Sequence, residues 1–269
     1  MEAAERKAAK EEEGFKMKVE VLKQAENEIT FAVDEIGPAL ANAIRRAAMF
    51  EVPTLAIEDV YFSQNSSVLY DEVIAHRLGL IVLKTDLKSY NLPEQCTCKG
   101  KLCAKCSVKG ILRAKGPVTV YAEDLKFKDP SVKAIYPKTV IVKLMEGQDI
   151  ELEFSAVLGK GSEHTKWSPC HLYYRGEPEF DAKDADLDKA FENIPSNVAK
   201  KSGKTIEILD FTKWLPAYEV ILEKAGVKIT NREDKFIFTL ESWGQLSSKT
   251  IMTEALDVLH EKLKTVKLK

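Results

Sequence analysis

Four of the five cysteines in this chain fall within eleven residues, as Cys96-x-Cys98-x4-Cys103-x2-Cys106. No other feature restricts the local fold so tightly, because four sulfur atoms tethered this closely have to converge on something or be held apart. The chain starts Met1-Glu-Ala-Ala-Glu-Arg-Lys, with no apolar segment that could serve as a secretory signal, so a reducing cytoplasmic setting is expected. In that setting crowded cysteines point to a metal rather than to disulfides. Four thiolates make the closed tetrahedral shell of a structural zinc site. Cys103-x-x-Cys106 has knuckle spacing, Cys96-x-Cys98 is tighter than usual, and Gly100 is placed to reverse the loop. Free thiols, a Cys-x-x-Cys redox pair and iron–sulfur ligation are the competing readings. A redox pair would open a helix after a strand, which this loop does not resemble. Lys99, Lys101, Lys105 and Lys109 stud the segment. Solvated lysines around a metal loop are the plainer reading of them, and contact with nucleic acid is the other.

The 269 residues allow one or two domains, or more if one is inserted in another. Residues 1–16 are almost all Ala, Glu, Lys and Arg and read as a solvated tail. Strand-like alternation starts at Met17 and again at Glu28-Ile-Thr-Phe-Ala-Val. A helix follows Gly37-Pro38, with Leu40, Ile44, Ala47 and Ala48 on one stripe, Arg45 and Arg46 off it, and Pro53 ending it. Residues 54–62 read as a strand and Asp71–Leu78 as a short helix. Further strands are expected from Ser107 and at 117–122, 139–145 and 149–157. The segment 177–230 changes character, with acidic residues and helical patterns near 186–201 and 216–225. Strand character returns at Lys235-Phe-Ile-Phe-Thr-Leu-Glu. A last helix, capped by Ser247 or Ser248, carries Ile251, Met252, Ala255, Leu256, Leu259, Leu263 and Val266. So apolar a terminal helix needs a partner surface.

Other patterns fail on inspection. Asp184-x-Asp186-x-Asp188 lacks the glycine and distal glutamate of a calcium loop and reads as an acidic helix start. Ser202-Gly-Lys-Thr205 has Val198 where a phosphate loop needs its first glycine. The four histidines, His76, His164, His171 and His260, form no zincin or triad pattern. With 40 basic and 42 acidic residues the net charge is -2, which argues against coating nucleic acid by charge alone. No catalytic constellation emerges.

Four blocks in order carry a family resemblance: Leu40-Ala-Asn-Ala-Ile-Arg-Arg46 with Glu51-Val-Pro-Thr-Leu-Ala-Ile57; Asp71-Glu-Val-Ile-Ala-His-Arg-Leu-Gly-Leu80; His164-Thr-Lys-Trp-Ser-Pro169; and Phe236-Ile-Phe-Thr-Leu-Glu-Ser-Trp-Gly244. From about residue 17 onward the chain resembles the α-like subunits of cellular RNA polymerases, above all those of archaea. That group includes the third-largest subunit of eukaryotic RNA polymerase II and the N-terminal domain of bacterial α.

The resemblance implies an α+β fold: a split dimerisation domain at 17–52 and 232–269, an inserted β-rich domain at 53–176 holding the zinc loop, and a small ferredoxin-like insert at 177–231. It implies a heterodimer with the small subunit L through Leu40, Ile44, Leu256, Leu259 and Leu263, and a large-subunit contact through Arg45 and Arg46. It also implies contacts to subunits N and P, a platform role for the large subunits B and A, and DNA met only indirectly through the complex. The eukaryotic relative has Cys-x-Cys-x3-Cys-x2-Cys, one residue shorter in the middle gap. Many archaeal members hold an iron–sulfur cluster in the insert. Here 177–231 has no cysteine and Ile194-Pro195 stands where a Cys-Pro would, so no cluster is expected.

Three function classes compete. The leading one is a non-catalytic assembly platform in a nucleotidyltransferase complex. The second is a free-standing zinc-containing nucleic-acid-binding module. A metalloenzyme ranks last, because four cysteines leave no open metal position.

Overall fold

A computed structural model describes residues 17–99, 101–183 and 185–266. The charged segment 1–16, Gly100 and Asp184 of the acidic triplet lie outside the described residues. In chain order the elements are β1 (Lys18–Gln24), β2 (Glu28–Asp34), α1 (Pro38–Phe50), β3 (Thr54–Asn65), α2 (Asp71–Gly79), β4 (Ser107–Lys115), β5 (Val118–Tyr121), β6 (Lys126–Phe127), β7 (Val140–Leu144) and β8 (Asp149–Gly159). They continue with β9 (Cys170–Asp181), α3 (Leu187–Phe191), β10 (Ala199–Ser202), β11 (Thr205–Ile208), α4 (Pro216–Lys224), β12 (Lys228–Ser242) and α5 (Ser248–Thr265). The class is α+β, as expected. The chain forms two compact units, each from two segments: up to Arg45 with Leu172–Leu240, and Arg46–His171 with Glu241 onward.

The first unit holds a four-stranded sheet in the order β1-β2-β12-β9, with β1 antiparallel to β2. Phe31 stacks on Phe238 with centroids 5.1 Å apart, and Tyr174 packs on Phe236 and Phe238. A second cluster buries Leu187, Ile194, Val198, Ile206, Trp214 and Leu222 around the β10–β11 hairpin. Here the structure corrects the helical reading of 186–201. The helix lasts one turn, over Leu187–Phe191, and Ala199–Ser202 is a strand paired with Thr205–Ile208. Pro195 removes a helix donor, and Gly203 at φ 62° forms the turn. β9 was not foreseen, and it contains Gly176 and Pro178. It is an edge strand, where a missing donor is tolerated, and a side chain at Gly176 would strike the Arg232 carbonyl.

The second unit is built on the antiparallel sheet β3-β8-β4-β6. Its inner face places Leu112, Ile150, Leu152 and Phe154 in the core with Ile74 and Leu78 of α2. Gly110 is required on that face: an added Cβ would lie 2.3 Å from the Phe154 ring and 2.8 Å from the Lys126 carbonyl. Each buried aliphatic or aromatic side chain contributes roughly 1.5–3 kcal/mol. α5 is capped by Ser247, whose hydroxyl accepts from the Thr250 N–H at 3.2 Å.

Candidate metal centre

The cysteine segment leaves the 3-10 turn Pro93–Gln95 and enters β4 directly after Cys106. Two turns shape it. The Lys99 N–H donates to the Cys96 carbonyl at 3.1 Å, and the Cys106 N–H donates to the Cys103 carbonyl at 3.0 Å. Between them Lys99 and Leu102 adopt φ of 54° and 50°, the left-handed region that turns the chain back on itself. Leu102 then packs against Ala56, Val157 and Trp167 on the outer face of the sheet. Trp167 is fixed by its indole N–H, which donates to the Val157 carbonyl at 3.2 Å, and its own carbonyl accepts from the Thr54 hydroxyl at 2.7 Å. Beneath the loop the Tyr90 hydroxyl donates to the Asp129 carboxylate. Burial, then that carboxylate, pushes the phenol well above its ordinary range, so it stays a donor.

All four sulfur atoms lie within 4.8 Å of one another. Cys96 to Cys103 and Cys98 to Cys106 are each 3.6 Å, and Cys103 to Cys106 is 3.9 Å. Disulfides need ~2.05 Å. A tetrahedral ion with bonds of about 2.3 Å to sulfur sets its ligands about 3.8 Å apart, so the separations match a four-thiolate shell. The Cys103 N–H also donates to the Cys106 sulfur at 3.3 Å. Desolvation raises the Cys98 thiol, but the Cys103 backbone and the neighbouring thiols bring it down to about 6. Burial drives Cys106 up to about 12. Four thiolates this close repel one another, and a dication at their centre reverses that balance. Among the described residues this is the only group of three or more His, Cys, Asp or Glu side chains placed to hold an ion.

The fifth cysteine is apart from this centre. Cys170 is buried on β9, its thiol donates to the Ala48 carbonyl at 3.8 Å, and burial pushes it up to about 12. His164 accepts from the Lys166 N–H at 3.1 Å and caps a 3-10 turn, a structural role.

A family model for the RNA polymerase Rpb3/RpoA insert domain matches residues 60–169, which contain this centre. The chain is 38% identical over 247 residues to the DNA-directed RNA polymerase subunit Rpo3 of Methanopyrus kandleri, covering 88% of this chain and 90% of that protein. The chain belongs to the Rpo3 family. Its likeness to the subunit Rpo3 of Methanothermobacter thermautotrophicus is 36% over 258 residues, with 93% and 97% covered. For that of Archaeoglobus fulgidus it is 34% over 248 residues, with 91% and 94% covered.

The remaining expected residues of this Rpo3-family chain lie on α1 and α5. On α1, Ala41, Ile44, Ala47 and Ala48 are buried, while Leu40 is 38% exposed. Arg45 bonds the Asn42 side-chain oxygen from Nε and Nη2 at 3.2 and 2.9 Å, and Arg46 is exposed. On α5, Ile251 and Ala255 are buried, Leu259 is half-buried, and Leu256 and Leu263 are 47% and 68% exposed. Sequence reasoning missed Leu102 and Trp167 as the anchors of the loop. Leu102 carried a signal, being the one large apolar residue between Cys98 and Cys103.

Proposed function

We propose that this chain is the non-catalytic assembly-platform subunit of a DNA-directed RNA polymerase, acting in the cytoplasm. In this reading it pairs with the small subunit L, meets subunits N and P, and nucleates the large subunits B and A. The observation that carries it is the division of α5. Ile251 and Ala255 satisfy the chain's own core, whereas Leu256, Leu263 and Val266 are left exposed. A helix packed only on its own chain gains nothing from that second apolar face, but a helix that also pairs with another subunit does. In this reading Leu259 of α5 and Leu40 of α1 take part in the same pairing, whereas Ile44, expected there, is buried in the chain's own core. No helix among the described residues is long and apolar enough to cross a membrane.

The four-cysteine centre holds one structural Zn²⁺ in this reading, and the cysteine-free segment 177–231 holds no iron–sulfur cluster. Arg45 and Arg46 present guanidinium groups to a large subunit. In this reading the dimerisation domain spans 17–52 and 232–269, the β-rich domain 53–176 and the small insert 177–231, boundaries that differ from those of the two compact units. Family membership supports the RNA polymerase assignment, because the relatives are named as RNA polymerase subunits, and the converging sulfur atoms support a metal.

The deciding experiment is co-purification of tagged chain with L. Leu256→Glu and Leu263→Glu should abolish L pairing, since a buried leucine is worth ~2–5 kcal/mol. Wild-type chain that stays monomeric, soluble and indifferent to L would remove the platform reading.

A further inference from the structure

The sheet under the metal loop has an outer face with its charges sorted by strand. In the β4–β6 register Ile111 faces Lys126 and Gly110 faces Phe127, and the Lys128 N–H donates to the Lys109 carbonyl at 2.8 Å. Opposed residues of an antiparallel pair share a face, as do residues two apart. Lys109, Lys126 and Lys128 therefore stand together, opposite the core face of Val108, Gly110 and Leu112. On the same outer face, β8 and β3 carry Glu151, Glu153 and Asp59. The loop borders this side. A cavity of about 470 Å³ is lined by Leu102, Cys103 and Ala104 of the loop together with Ser107, Lys109 and Lys128. The acidic group in that cavity, Asp129, is held by Tyr90 and by the Ser131 backbone and hydroxyl. The same Leu102 also lines a cavity with Glu58, Asp59 and Glu94.

None of the exposed Lys99, Lys101, Lys105, Lys109, Lys126 and Lys128 makes an ion pair among the described residues. Arg113, the arginine on this face, is already matched with Glu151 at 2.7 Å. A surface that gathers cations and leaves them unpaired repels itself and attracts a polyanion.

We infer that the face carrying Lys109, Lys126 and Lys128 binds the phosphodiester backbone of duplex nucleic acid without reading its sequence. This is a direct contact, where the resemblance implies only an indirect one. The side-chain chemistry selects the occupant. Free cations that are all lysines suit phosphates as point charges, whereas an acidic peptide is better met by arginine forks. No exposed aromatic side chain stands among these lysines to stack a base, which single strands require. Ile111, between them on the same face, and Leu102, which lines the same cavity, are only partly exposed.

The test is fluorescence anisotropy of the full chain with a labelled duplex of roughly 20 base pairs, two helical turns, and with a single strand of equal length. Competition by polyglutamate is measured in parallel. Duplex binding is expected at low salt, with a salt slope of about -2.7 for three phosphate contacts. Lys109→Glu with Lys128→Glu should weaken it at least tenfold and bring the slope to about -0.9. Lys204→Glu, an exposed lysine on the β10–β11 hairpin, should leave both unchanged. If the double reversal does not fold, Lys109→Gln with Lys128→Gln keeps the aliphatic stems and should still weaken binding. Unchanged binding in folded variants, no binding at low salt, or a preference for polyglutamate or single strand over duplex would each overturn the inference.

Discussion

The metal loop and the segment 177–231 face one problem with different chemistry. Each is too small to be stable on backbone hydrogen bonds alone. The loop fully buries only Cys96 and Cys106 among its described residues, so its ordering, at ~1–2 kcal/mol per residue, is offset by little apolar packing beyond Leu102. The segment has no cysteine but buries Leu187, Ile194, Val198, Ile206 and Leu222 around Trp214. Ile194, where the resemblance would place a cysteine, sits in that core. A polar clasp closes it: the Trp214 indole donates to Glu219 at 2.8 Å, and Arg175, half-buried, pairs with the same carboxylate at 3.2 Å. One region needs its thiols to converge, and the other can do without them.

The largest expected effect tests the metal side. Cys103→Ser, or chelation of the wild type, should release the bound ion and open the loop to trypsin at Lys99, Lys101 and Lys105. Structural zinc contributes ~10–16 kcal/mol in small domains. Mass spectrometry of the digest and metal analysis read the outcome, and a loop equally protected with and without chelator would break the contrast. Next comes the packed side. Trp214→Ala should cost ~3–5 kcal/mol, lowering the melting transition of the first unit while metal content stays at wild-type level. Loss of metal in this variant would show that the two regions are not independent.

A third variant separates the loop from its platform. Gly110→Ala pushes a methyl into Phe154 and the Lys126 carbonyl, and overpacking of this kind costs ~1–3 kcal/mol. The sheet should melt earlier in denaturant titration while the four thiols stay protected from alkylation. The smallest effect involves neither region. Glu51 pairs with Lys262 at 2.6 Å and Lys160 at 3.4 Å; burial opposes its charge, but these two lysines bring it below its ordinary 4.5. A depressed carboxyl adds stability that is present above pH ~4.5 and lost as the pH falls below it. Glu51→Gln should therefore destabilise the chain slightly at neutral pH, by ~0.2–1 kcal/mol, and flatten the acid limb of its stability curve. Equal acid sensitivity in wild type and variant would remove Glu51 from the acid response.

Local chemistry made much of this legible. Pro38 at the first turn of α1, Ser247 as the cap of α5, and α2 over Asp71–Gly79 all follow from neighbours within a few residues. β9 and the first half of β12 were not legible. Asn231, Arg232, Glu233 and Asp234 show no apolar alternation, and their strand is held by pairs from Arg232 to Asp34 and Glu177 and from Lys235 to Glu177. Those partners are distant in sequence, and no window of local periodicity contains them.

By itself the sequence determined the four sulfur atoms of the candidate metal centre, because eleven residues of tether leave four thiols few other places to go. It also determined the ends of α1, α2 and α5, where capping and proline effects are local. Tertiary structure alone decided how the apolar stripe of α5 divides. Ile251 and Leu256 are equally apolar in the sequence, and only packing makes one core and the other surface. It decided too that 199–202 pairs as a strand, and that Lys109, Lys126 and Lys128 share one face. Those outcomes depend on strand register between distant segments, and register is set by the whole buried surface rather than by any residue's own preference.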